Sequence, residues 1–173
     1  MKLATSYFYQ IRNFKKNMIP VSTAISDPDW FHASLGNNHV FKDKRGILNG
    51  IRCLPIIDCG KAAQNRGSCR GPEECEHKSP NCPFLEGYRD ELFENLKYTQ
   101  MMNDFEELAE NYKRTEGIEE EIIIVLIVYE VPTNPCSERG TLQHYFKLHG
   151  VECEELHYPI QEFDIVHDNS FDF

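Results

Sequence analysis

The sequence predicts an α/β sandwich, a mostly parallel sheet with helices packed against it. Three observations lead there. Residues 121–129, EIIIVLIVY, form a continuous β-branched run with no polar alternation. Such a run is buried on both faces, as in the central strand of a parallel sheet. The stretch before it carries apolar residues at helical spacing. The stretch after it reads as loop, helix and second strand, a β-α-β unit.

Residues 2–8 are β-rich, end in an aromatic cluster and read as a first strand. Residues 12–17 are polar and basic, a loop or short helical turn. MIPVSTAI, residues 18–25, reads as a second strand stopped by Asp27 and Pro28. DWFHASLG, residues 29–36, contains the only tryptophan and reads as a turn or short helix. FKDKRGILN, residues 41–49, reads as a basic turn between short extended pieces.

Order returns at Pro83, a favoured first residue for a helix. Phe84, Leu85, Tyr88, Leu92, Phe93 and Leu96 follow near helical spacing. A second helix is predicted over residues 99–114, with Met102, Phe105, Leu108 and Tyr112 on one stripe and Gly117 as its stop. Both stripes read as core packing. Beyond the central strand, TLQHYFKLHG is a predicted helix closed by Gly150, and VECEELHY a further strand. The tail, QEFDIVHDNSFDF, mixes acids with aromatics and reads as a docked terminal segment or a flexible interaction tail.

At 173 residues the chain fits a single α/β domain spanning residues 1–173, with a cysteine-rich insertion at residues 53–83. A chain of this length buries about 70% of its unfolded surface. The net charge of -10 argues against sequence-independent binding to duplex nucleic acid, which needs a basic face. The acids crowd into residues 86–121 and 152–172, so the first half has room for a local anion site. Tyr7, Phe8, Tyr9, Arg12, Lys15 and Lys16 interleave aromatics with basic groups, a pattern that suits single-stranded nucleic acid. The overall charge disfavours that partner. There is no signal-peptide pattern, and the longest apolar run is too short to cross a bilayer. The expected setting is the cytoplasm, away from membranes; nothing speaks to oligomeric state. In that reducing compartment clustered cysteines read as metal-binding or catalytic.

CGKAAQNRGSCRGPEECEHKSPNC, residues 59–82, holds four of the seven cysteines and a histidine. A polar, Gly- and Pro-rich stretch of this length does not order itself by hydrophobic burial. A metal ion can order it. Cys59, Cys69, Cys75 and Cys82 would form a four-thiolate zinc site, with His77 as the alternate to Cys59. The spacing lacks the CxxC knuckle of standard zinc fingers. An iron–sulfur cluster would use similar ligands, and reduced thiols or disulfides are the metal-free alternatives. No open coordination position suggests itself, so the ion is expected to be structural. Cys53, within GIRCLPII, reads as a small buried hydrophobe.

Ligands of open parallel sheets bind beyond the carboxyl ends of the strands. The loop after the central strand carries Glu130, Asn134, Cys136, Ser137, Glu138 and Arg139 before a helix begins. Amides at that helix start favour an anion, and Arg139 offers a bidentate fork. Cys136 near the helix start is a candidate nucleophilic or redox thiol. The plainer alternative is a helix cap made by Asn134, Cys136 or Ser137, with Glu138 complementing the dipole and Arg139 pairing with Glu130. Cysteine-phosphatase chemistry is not expected, because Arg139 follows Cys136 too closely and the loop lacks glycines. At the first strand's end, Thr5, Ser6, Tyr7 and Arg12 lie toward the same edge. They suit a nucleotide or phosphorylated ligand, or a simple turn.

TSYFYQIRNF, PVSTAISDPDWF and VLIVYEVPTNPCSERGTLQHYFKLHGVECEEL resemble the domain-of-unknown-function 488 family. The shared features are a short first strand running into Ser-Tyr-Phe and a late buried strand ending in a Tyr/Cys-Glu pair. A Cys-His-Arg-like element then opens a helix. The resemblance covers residues 2–31 and 122–156. The chain departs from the pattern at Cys136-Ser137-Glu138-Arg139, which lacks the histidine, and its cysteine segment resembles only a subset of relatives. The resemblance implies a compact Rossmann-like fold, supplies no activity, and points to Tyr7, Arg12, Glu130, Cys136 and Arg139.

The expected function is therefore binding of a nucleotide or other phosphorylated ligand through Ser6, Tyr7, Arg12, Ser137 and Arg139. The metal-ordered insertion would serve as a wall or lid. Were the protein an enzyme, the class would be transfer or hydrolysis at a nucleotide or nucleic-acid base, with Glu130 as acid/base and Cys136 as nucleophile. The alternative is a non-enzymatic protein-interaction module organised by the zinc-bound segment and the acidic aromatic tail.

Overall fold

In the computed structural model the described residues are 1–23, 28–29, 31, 41–42, 48–49, 83–134 and 136–157. The elements run β1 (Lys2–Tyr7), a 3-10 turn (Phe8–Asn13), β2 (Met18–Ser22), β3 (Phe41–Lys42) and β4 (Leu48–Asn49). Then come α1 (Pro83–Asn95), α2 (Tyr98–Glu116), β5 (Ile123–Val128), α3 (Arg139–Leu148) and β6 (Cys153–Glu155).

The β-branched run becomes β5, with a parallel neighbour on each side. The four-stranded sheet has the order β2-β5-β1-β6, and every pairing in it is parallel. Leu126 sits level with Thr5 on one flank and Val21 on the other. Residues 124–128 are wholly buried, which explains why this strand shows no alternation.

Strand periodicity divides the apolar side chains between two cores. One face carries Leu3, Ile19, Val21, Ile124, Leu126, Val128 and Cys153 against α2 and α3. Phe105, Leu108 and Tyr112 supply the α2 stripe, and Leu142, Tyr145 and Phe146 that of α3. The other face carries Ala4, Val125 and Ile127 with Phe8, Ile11, Met18 and Phe31.

The connection from β1 to β2 steps over β5 through the 3-10 turn, whose Phe8 and Ile11 lie in the second core. The connection from β5 to β6 steps over β1 in the opposite direction, through α3 in the first core. The carboxyl ends of β1 and β5 therefore lie side by side where the chain departs both ways. That is the place where open α/β sheets hold their ligands.

Gly117 ends α2 as predicted, in the left-handed region at φ 64°, its N–H bonded to the Lys113 carbonyl. α3 starts two residues ahead of its predicted first residue, Thr141, with the Arg139 amide bonded to Ser137 Oγ of the loop. β6 is shorter than predicted, with β1 as its only neighbour among the described residues. The extended pieces of the basic turn pair antiparallel as β3 and β4. Residues 53–82 of the cysteine-rich insertion, most of residues 24–40 and the acidic aromatic tail lie outside the described residues. Among the described residues no helix is long and apolar enough to cross a membrane.

Candidate functional cleft at the start of α3

The loop between β5 and α3 is shaped by its own polar side chains. Asn134 Oδ1 accepts from the Cys136 amide at 2.8 Å, and Ser137 Oγ accepts from the Arg139 amide at 3.2 Å. These are the short side-chain-to-backbone turns that Asn and Ser favour. The first bond back from the helix runs from the Leu142 amide to the Glu138 carbonyl, at 3.0 Å. Among the described residues the Gly140 and Thr141 amides have no partner, as expected for the first turn of a helix.

Arg139 is only 7% exposed. Its Nε donates to Glu155 Oε2 at 2.7 Å, Nη1 to the Val131 carbonyl at 3.2 Å, and Nη2 to the Glu130 carbonyl. Three of the five guanidinium N–H groups are thus committed, and they clamp the loop after β5 to the end of β6. The plainer sequence reading paired Arg139 with Glu130; the contact is made with the Glu130 backbone, and the charge partner is Glu155.

Glu155 Oε2 also accepts from Thr5 Oγ1 at 2.7 Å, and Thr5 Oγ1 in turn accepts from Gln143 Nε2 at 2.7 Å. Glu155 Oε1 is buried with no hydrogen-bond partner among the described residues. Burial pushes the Glu155 carboxyl above its ordinary value, opposed by the Thr5 hydroxyl, the Arg139 guanidinium and, more weakly, His157.

Beside this network lies a cleft of about 480 Å³ between α1, the loop and the start of α3. α1 contributes Glu86 and Arg89, the loop Asn134 and Ser137, and α3 Arg139, Thr141, Gln143 and His144. Arg89 is half-exposed and pairs with Asp90 at 3.3 Å and Glu86 at 3.7 Å. Solvated pairs of this kind are weak, so Arg89 is readily re-aimed at an anion.

Two of the site residues expected from sequence, Ser137 and Arg139, line the cleft. The others stand elsewhere. Tyr7 closes β1 beside Val128, its hydroxyl accepting from Gln10 Nε2 at 2.9 Å. Arg12 is exposed, stacked 3.1 Å above the Tyr9 ring centroid, its Nε donating to the Tyr9 carbonyl. Ser6 is fully buried, one residue out of phase with Thr5 and so on the opposite sheet face. Glu130 and Cys136 are both half-buried, and neither is part of the cleft wall.

Sequence reasoning passed over Glu155, Gln143, Arg89 and His144. Glu155 left a readable signal. It follows Cys153 by two residues in a strand, so it shares the inward face, where a lone carboxylate is rare unless paired. Gln143, Arg89 and His144 look like any solvated helix face. Cys153 is no reactive thiol: burial, then the Glu155 charge, pushes it up to about 12.

Cys59, Cys69, Cys75, Cys82 and His77 lie outside the described residues. Among the described residues no group of three or more His, Cys, Asp or Glu side chains gathers to hold a metal. Compared with protein-family models, with curated proteins and with solved structures, the chain finds no match in any of the three.

Proposed function

We propose that the protein binds a nucleotide or another phosphorylated ligand in the cleft beyond the carboxyl ends of β1 and β5. The observation that carries this reading is the convergence, on one wall, of a buried guanidinium and two unbonded helix amides. Arg139 retains two N–H groups after its three internal bonds, and it is already held in place. A preordered donor loses little entropy when an anion arrives. Gly140 and Thr141 add amides at the positive end of the α3 dipole, and Arg89 adds a second charge from α1.

Glu130 and Cys136 stand off this wall, so the reading is one of binding and assigns no reaction. The same proposal takes the fold as Rossmann-like and, on the quoted motifs alone, as akin to the domain-of-unknown-function 488 family. It takes the cysteine-rich insertion as ordered by a structural zinc on Cys59, Cys69, Cys75 and Cys82, which rests on residue type and spacing. Metal analysis of the purified full chain checks the zinc.

Calorimetric titration with inorganic phosphate, AMP, ADP and ATP tests the cleft, in the wild type and in Arg89→Ala. Arg89 is exposed enough that its loss leaves the fold intact. Binding should weaken by about tenfold in the variant, the worth of one charge-assisted hydrogen bond. Absence of binding by all four probes, or equal affinity in Arg89→Ala, refutes the cleft as a phosphate site.

A further inference from the structure

The anchor of the Gln143–Thr5–Glu155 chain fixes the direction of every hydrogen bond in it. Glu155 Oε2 takes the Arg139 Nε–H at 2.7 Å, and a guanidinium only donates, so this oxygen is an acceptor. The single Thr5 hydroxyl proton therefore goes to Glu155 Oε2. That leaves the Thr5 oxygen as an acceptor, so the amide nitrogen of Gln143 must face it. Gln143 lines the cleft, and with one N–H committed to Thr5 its carbonyl oxygen is the acceptor it can offer a ligand. The orientation of this amide is dictated by an oxygen two hydrogen bonds away, which Arg139 fixes as an acceptor.

Resting on the phosphate-binding reading above, we infer that Gln143 is a specificity-determining acceptor, held by Glu155 through Thr5. The ligand class is then a phosphomonoester that carries its own hydroxyl or N–H donor one sugar unit from the phosphate. Spacing supports the distance. Arg139 and Gln143 are four residues apart on α3, so they lie about 5–6 Å apart on one helix face. A pentose places its ring hydroxyls at about that reach from its phosphate. A bare anion fills the Arg139 end and leaves the Gln143 oxygen unused.

The discriminating probes are methyl phosphate, which has no donor beyond the phosphate, and ribose 5-phosphate, titrated into the full chain at fixed ionic strength. Ribose 5-phosphate should bind about fivefold to tenfold more tightly, the effect of one added hydrogen bond. Gln143→Met should erase that preference, bringing ribose 5-phosphate to the affinity of methyl phosphate for the same variant. Thr5→Val, which cuts the relay with a side chain of the same shape, should also erase it with Gln143 still present. Glu155→Gln should preserve it, since an amide oxygen in the Oε2 position still accepts from both Arg139 and Thr5. Equal affinity for the two probes in the wild type, or a preference that survives Gln143→Met, overturns the inference and spares the anion site. Binding of neither probe overturns both.

Discussion

Replacing Arg139 by Met should destabilise the protein by about 3–5 kcal/mol, the cost of leaving a buried charge without its partner. The side chain is buried and carries three hydrogen bonds. Without it Glu155 Oε2 keeps only the Thr5 hydroxyl, Oε1 still has no partner among the described residues, and two loop carbonyls lose a donor. Glu155→Leu alone should be costly for the mirror reason. The double variant Arg139→Met/Glu155→Leu should lose at least about 2 kcal/mol less than the sum of the two, because it buries no unpaired charge. Urea unfolding followed by circular dichroism measures all four proteins. With a slope near 2 kcal/mol/M, the single variants shift the midpoint by about 2 M. A second signature is pH. The Glu155 carboxyl is already raised above its ordinary value in the folded state, so its protonated form is the better tolerated one. Its contribution is fully present below the unfolded pKa and is lost as pH rises through the folded one. Removing Arg139 raises the folded value further, so the deficit of Arg139→Met should shrink on acidification and be largest at neutral pH. A coupling below about 0.5 kcal/mol together with a pH-independent deficit would refute the clamp.

Leu126→Ala, at a wholly buried position of the central strand, should lose about 2–5 kcal/mol in the same assay. Gly117→Ala should lose about 1 kcal/mol through backbone strain alone, since a methyl group there meets nothing within 4 Å. Lys2, hydrogen-bonded to it, and the amino terminus hold the Glu121 carboxyl below its ordinary value. An NMR titration should place it there, and Lys2→Met should return it upward. The small stabilisation involved is present above the unfolded pKa and fades as pH falls through the folded one. Cys153 should resist iodoacetamide at pH 8 in the native protein and label on unfolding, as read by peptide mass mapping.

What the sequence showed of the fold was carried by short-range physics. EIIIVLIVY was readable because burial on both faces removes alternation, and α2 because its stripe and terminal glycine agree. The strand order was not readable. It depends on β1 inserting between β5 and β6, a pairing that no local pattern encodes. The cleft was half legible. Ser137 and Arg139 stood out because they follow the central strand, where the sheet rule points. Arg89 comes from a helix remote in sequence, and Gln143 acquires its role only through Thr5 and Glu155. The expectation that Tyr7 and Arg12 would join Arg139 placed them at the correct end of the sheet. It missed that Arg12 is taken up by the Tyr9 ring.

The interleaved strand order also sets when this protein can become stable. Lys2 is registered with Ile123, so β1 waits for a partner made more than a hundred residues later. Until then β1 and β2 are an exposed apolar pair with no sheet to join, since parallel neighbours cannot zip directly to one another across the gap β5 will fill. Ribosome-stalled chains ending before residue 121 should therefore be protease-sensitive and chaperone-bound. Protection should appear in one step once β5 has cleared the exit tunnel, the kinetic mark of a topology dominated by distant contacts.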